Sequence, residues 1–105
     1  MWNNRVVLTG NLTRGIEKKI AADKSVCSFT VAVQKVMKDD EADFINCVAW
    51  GQQADYLSQY GKKGTRVSLE GRLQTRSYQK DDSTVYVTEV VVDNCHLYKP
   101  NSANE

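Results

Sequence analysis

Histidine is nearly absent from this chain: His96 is the only one in 105 residues. No Ser-His-Asp set stands out, and no glycine-rich loop has the spacing that cradles a phosphate. Cysteine is also scarce. Cys27, Cys47 and Cys95 form an odd set with no Cys-x-x-Cys pair, so neither a disulfide framework nor a zinc cluster is indicated. His96 adjoins Cys95, but neighbouring residues of a strand point to opposite faces, which rules out that pair as joint ligands. No metal and no cofactor is expected. Each thiol lies in an apolar or β-rich run, where free cysteine behaves as a small buried hydrophobe, and this usage points to a reduced, cytoplasmic setting. No apolar run is long enough to span a bilayer, and the opening MWNNRVVLTG lacks the core of a signal peptide, so no membrane partner is expected. The net charge is only +1, which by itself announces no polyanion.

An apolar content of 41% and a charged content of 26% are those of a soluble globular protein, and the length suits one domain with its own core. Period-two alternation predicts strands near 5–12, 26–36, 43–50, 65–78 and 84–98. Between the third and fourth, QQADYLSQYGKKG places Ala54, Leu57 and Tyr60 at helical spacing, and Gly61 is expected to stop the helix in a left-handed conformation. Segments 37–43 (MKDDEAD) and 79–83 (QKDDS) read as hairpin tips. The single proline, Pro100, marks the end of a 1–99 domain, leaving 100–105 as a polar, disordered stub. Five strands with one short helix between strands three and four is the order of an OB-fold, an all-β, five-stranded Greek-key barrel.

Two successive strands carry an unusual outer face. In FINCVAWG, Ile45, Cys47 and Ala49 suit a tight barrel interior, while Phe44, Asn46, Val48 and Trp50 point the other way. In LEGRLQTRSY, Leu69, Gly71 and Leu73 read as core, and Arg72, Gln74, Arg76 and Tyr78 face out. Large aromatics on an outer face suit a subunit interface as well as a ligand. The surrounding charge decides between them. Residues 60–80 hold six basic side chains, Lys62, Lys63, Arg66, Arg72, Arg76 and Lys80, against one acidic, Glu70. Rings interleaved with cations are what single-stranded nucleic acid requires, since bases stack on the rings while cations follow the phosphates. The acidic run Asp39, Asp40, Glu41 and Asp43 could in principle hold Mg²⁺ for a small nuclease. Consecutive carboxylates on a turn are poorly organised for that task, and a solvated hairpin tip is the simpler reading.

Taken in order, NNRVVLTGNLTR, FTVAV, ADFINCVAWGQQADYLSQYGKKG, VSLEGRLQTRSY and VYVTEVVVD resemble the bacterial-type single-stranded DNA-binding proteins over residues 3–98. The resemblance implies an OB-fold homotetramer that coats single-stranded DNA in replication, recombination and repair, without catalysis. It places base-stacking rings at Phe44, Trp50 and Tyr78 and basic DNA contacts at Arg76 and Lys63. Arg72, Lys62, Lys35 and Asn46 join the expected DNA-binding set, and Met37 stands where members carry Trp or Phe. Members of the family continue into an acidic, apolar-tipped tail that hooks partner enzymes. This chain stops at Asn104-Glu105, so tail-mediated recruitment is not expected, and a naturally short member and a truncated piece of a longer one both fit. Two other classes compete: an OB-fold primosomal accessory protein with part of its aromatics at an interface, and the metal-dependent nuclease already weighed.

Overall fold

A computed structural model of the chain describes residues 3–99; Trp2, Pro100 and the stub that follows lie outside the described residues. The elements are β1 (Val6–Leu12), β2 (Lys19–Ala21), β3 (Lys24–Lys35), β4 (Lys38–Trp50), α1 (Gln52–Tyr60), β5 (Arg66–Lys80) and β6 (Ser83–Leu97). The sheet runs β1-β5-β6-β4-β3-β2 and closes on itself where Asn11 and Leu12 of β1 pair with Ala32 and Val31 of β3. Five long strands thus form a closed barrel, with all contacts antiparallel except β4 against β6. This is the expected OB-fold, with the helix between the third and fourth long strands.

Period-two side chains fill the interior. Val31 of β3, Cys47 and Ala49 of β4, Val67 and Leu69 of β5, and Val90 and Val92 of β6 are all buried in one cluster. Ala54 and Leu57 of α1 plug one end of it. The wall is tight enough to demand glycine at two places. A Cβ on Gly71 would lie 2.0 Å from the Val91 carbonyl oxygen, and one on Gly10 would lie 2.3 Å from that of Ala32. Both obstacles are backbone, which cannot swing aside. Gly71 sits where the β5–β6 register shifts and Asp93 is the extra residue on β6, a bulge that bends the ribbon out of the barrel.

Several expectations are corrected. The short β2 lacks any buried residue, so it left no period-two signal. The first hairpin turns on Val36 and Met37 alone, and 38–43 are strand residues with Asp39–Glu41 bulged between the Gln34–Ala42 and Lys35–Lys38 pairs. The second tip is likewise only Asp81 and Asp82. Gly61 is extended, at φ −82°, and is needed for space: a Cβ there would press on Leu57 and Leu12. The left-handed glycine of that loop is Gly64. Leu73 is exposed, because the β1 ladder ends at the Val6–Gly71 pair and β5 runs past it with β6 as its only strand partner. Among the described residues, no helix is long and apolar enough to cross a membrane.

Candidate nucleic-acid interface

Cross-strand register gathers the outward side chains. Ser28 of β3 pairs with Val48 of β4, Val48 with Val91 of β6, and Val91 with Arg72 of β5. Paired residues share a face, so Phe44, Asn46 and Trp50 lie on the same outer surface as Gln74, Arg76 and Tyr78. Val48 and Val91 are buried there although neither belongs to the interior cluster, giving this surface a small apolar floor. The run Val90-Val91-Val92 thus sends two residues inward and one outward.

The aromatics stand clear of that floor. Phe44 is 67% exposed, Trp50 46% and Tyr78 44%. Asn46 accepts a hydrogen bond from the Thr30 hydroxyl at 3.2 Å, which fixes its carboxamide and leaves the NH₂ to donate outward. Both guanidinium groups are already engaged by β6: Arg72 pairs with Asp93, and Arg76 donates to Glu89 at 2.8 Å. Glu89 is only 6% exposed and is further approached by the Gln74 amide at 3.4 Å. Its hydrogen bond and its charge hold the Arg76 guanidinium above its usual range. A phosphate reaching Arg76 therefore competes with a built-in carboxylate.

Other expected residues lie elsewhere. The Lys35 ammonium is paired with Asp43, and Asp43 alternates to the opposite side of β4 from Phe44. Met37 sits at the hairpin tip, 94% exposed and at φ +67°. Lys62 and Lys63 belong to the loop between α1 and β5, in a groove with Tyr56, Tyr60 and Tyr98. The acidic run is dispersed among partners: Asp39 accepts from Gln34, Glu41 pairs with Lys38, and Asp43 with Lys35. Among the described residues no three metal-ligating side chains are gathered.

Register also adds a residue that sequence reasoning missed. Lys19 of β2 pairs with Val26, and Val26 pairs with Trp50, so an exposed ammonium shares the tryptophan's face. Its only signal was a three-residue strand with no buried face, which period-two reading cannot see. The thiols are where small hydrophobes belong. Burial pushes Cys27 up to about 11 and Cys47 to about 12, the nearby Glu89 charge adding to the latter, and Cys95 to about 11.

Known proteins are similar to this chain in sequence. The chain is 44% identical to single-stranded DNA-binding protein 2 of Streptococcus agalactiae serotype III, over 94% of its own length and 79% of the relative's. It is 43% identical to the single-stranded DNA-binding protein of Streptococcus mutans, over 97% of this chain and 66% of that one. The same identity holds for the Streptococcus pneumoniae protein of that name, over 97% and 69%. A family model matches residues 3–98, all but the ends of the chain. With its barrel, its outer aromatic face and this match, the chain belongs to the single-strand binding protein family.

Proposed function

We propose that this protein binds single-stranded DNA with little regard for sequence, coating and protecting it during replication, recombination and repair in the cytoplasm, and that it catalyses nothing. The observation that carries the reading is the exposure of Phe44, Trp50 and Tyr78 on one surface with Arg72 and Arg76. Stacking tolerates any base because every base has a flat π-face, whereas duplex DNA hides those faces. The relatives' names support the same ligand.

Titration with poly-dT at several salt concentrations, beside the duplex equivalent, tests this. Affinity for the single strand should exceed that for duplex and fall with salt at a slope near −0.7 per phosphate contact. Equal affinity for both forms, or a flat salt response, would overturn it. The working unit is a homotetramer, because one barrel covers only about 4–16 nucleotides and close coating needs several linked sites. Val7, 65% exposed on the outer side of β1, supports a subunit contact. Sedimentation at micromolar concentration should show an assembly; a monomer contradicts it.

A further inference from the structure

We propose that the groove between the end of α1 and the end of β6 is a second binding site for single-stranded DNA on each barrel, with Tyr60 and Tyr98 as its stacking rings. The proposal extends the reading above and rests on it for the identity of the ligand.

Charge is the first argument. Six of the fourteen lysines and arginines are in ion pairs: Arg5, Lys18, Lys35, Lys38, Arg72 and Arg76. Of the eight without such a partner among the described residues, Lys62, Lys63, Arg66 and Lys99 line this one groove. Among the described residues, no carboxylate lines it. Arg66 also borders the acidic bulge on its other side, so the three lysines carry the field of the groove. Positive charge that the fold does not neutralise attracts an anion more effectively than charge already paired. By this measure the groove is better prepared for phosphate than the Arg72–Arg76 face.

The rings are the second argument, and they are held in place. Tyr56 accepts the Leu97 backbone N–H at 2.8 Å, and its ring meets that of Tyr60 at 5.8 Å and a 55° tilt. The Tyr98 hydroxyl lies 3.0 Å from Ser68 Oγ, and its ring stands edge-on to His96 at 4.8 Å. Tyr60 and Tyr98 nonetheless remain exposed. The cavity measures about 810 Å³, ample for a base with its sugar and phosphate. An acidic peptide would satisfy the lysines and leave the rings unused. Duplex would offer phosphates and no free base face. A single strand uses both.

Position is the third. Only Gly51 separates Trp50 from α1, and Tyr60 is the helix's last residue. Nine residues at a rise of ~1.5 Å separate them by roughly 14 Å. A strand leaving the tryptophan can therefore follow the helix into the groove.

Two experiments on the full chain test this, in a Trp2→Phe background so that Trp50 alone reports the sheet face. The first compares Lys62→Gln/Lys63→Gln with the same pair plus Tyr60→Ala. Removing two phosphate contacts should flatten the salt dependence for poly-dT by about 1.4 log units per log unit of salt, at ~0.7 each. Fewer nucleotides should be occluded per subunit, while Trp50 quenching at saturation persists. The second irradiates a complex with iodouracil-substituted single strand and maps crosslinked peptides; crosslinks at Tyr60 or Tyr98 are expected. Trp50 quenching with an unchanged slope and no groove crosslink overturns the second site and leaves the sheet face standing. Groove crosslinks without Trp50 quenching do the reverse. Variants that change only the sedimentation coefficient make the groove a contact between copies, which also overturns the proposal.

Discussion

Replacing Trp50 with alanine tests the stacking surface most sharply, because the ring's two roles have separable costs. With 46% of the residue exposed, roughly half of its ~250 Å² is covered by the fold. At ~25 cal/mol per Å² that covered half is worth about 2–3 kcal/mol of stability. A domain typically holds ~5–15 kcal/mol, so the barrel should survive. Trp50 lies outside the interior cluster, and the neighbouring Ala49 and Cys47 stay sealed. The exposed half faces the ligand. Losing one stacking ring costs ~1–3 kcal/mol of binding, a weakening of about 5- to 150-fold. Urea unfolding reads the first cost, and oligo-dT binding under native conditions reads the second. Phe44→Ala separates the two further: at 67% exposure it has less contact with the fold, so it should lose less stability for a similar loss of binding. A Trp50→Ala protein that is less stable yet binds normally, or that dissociates into subunits, would refute the argument and make the ring a packing element.

Glu89→Gln should tighten single-strand binding severalfold at low salt, since the amide can still accept from Arg76 while removing the charge that competes with phosphate; weaker binding would show that Glu89 orients Arg76 more than it occupies it. Gly71→Ala should destabilise the barrel by about 3 kcal/mol or more in urea, because its Cβ meets the Val91 carbonyl and the bulge cannot give way. The thiols set an alkaline limit. Their folded values of about 11 to 12 lie above the ordinary 9.0, so the unfolded chain gives up thiol protons first. Their contribution is full below pH 9 and declines as pH rises from there toward 11–12, which the urea midpoint against pH should show. At neutral pH a thiol reagent should titrate Cys27 and Cys47 only after denaturant is added, both being buried and protonated.

The faces of β4 and β5 were legible because inward Cys47 and Ala49, and Leu69 and Gly71, alternate with large or charged neighbours at a period only a strand produces. Where the surroundings stop being one-sided, the reading fails. Leu73 keeps the phase of Leu69, but β5 has by then run past the end of β1, and where a neighbouring strand stops leaves no trace in the sequence of β5. Asp39–Glu41 look like a loop because aspartate is poor in strands, yet Gln34 holds Asp39 and Lys38 holds Glu41 in a bulged ladder. The carboxylates opposite Arg72 and Arg76 lie 21 and 13 residues away, too far for any local pattern to announce. Lys62 and Lys63 were read with the β5 arginines as one basic tract, and the fold assigns them to a different surface.

Beyond the Gln74–Glu89 pair the β5–β6 arm holds no buried residue, and every β5 residue from Arg72 to Lys80 is exposed. It contributes to the molecule's long axis of 52 Å against 37 Å in the other directions. A ribbon of this kind is free to change length. Adding or removing facing residues on either side of the Asp81–Asp82 turn leaves the core volume, the closure at Asn11 and Leu12, and the orientation of every residue nearer the barrel as they were. The reach of this protein along a ligand is thereby uncoupled from the stability of its fold. Selection can lengthen or trim that reach one cross-strand pair at a time, without renegotiating a single contact of the hydrophobic centre.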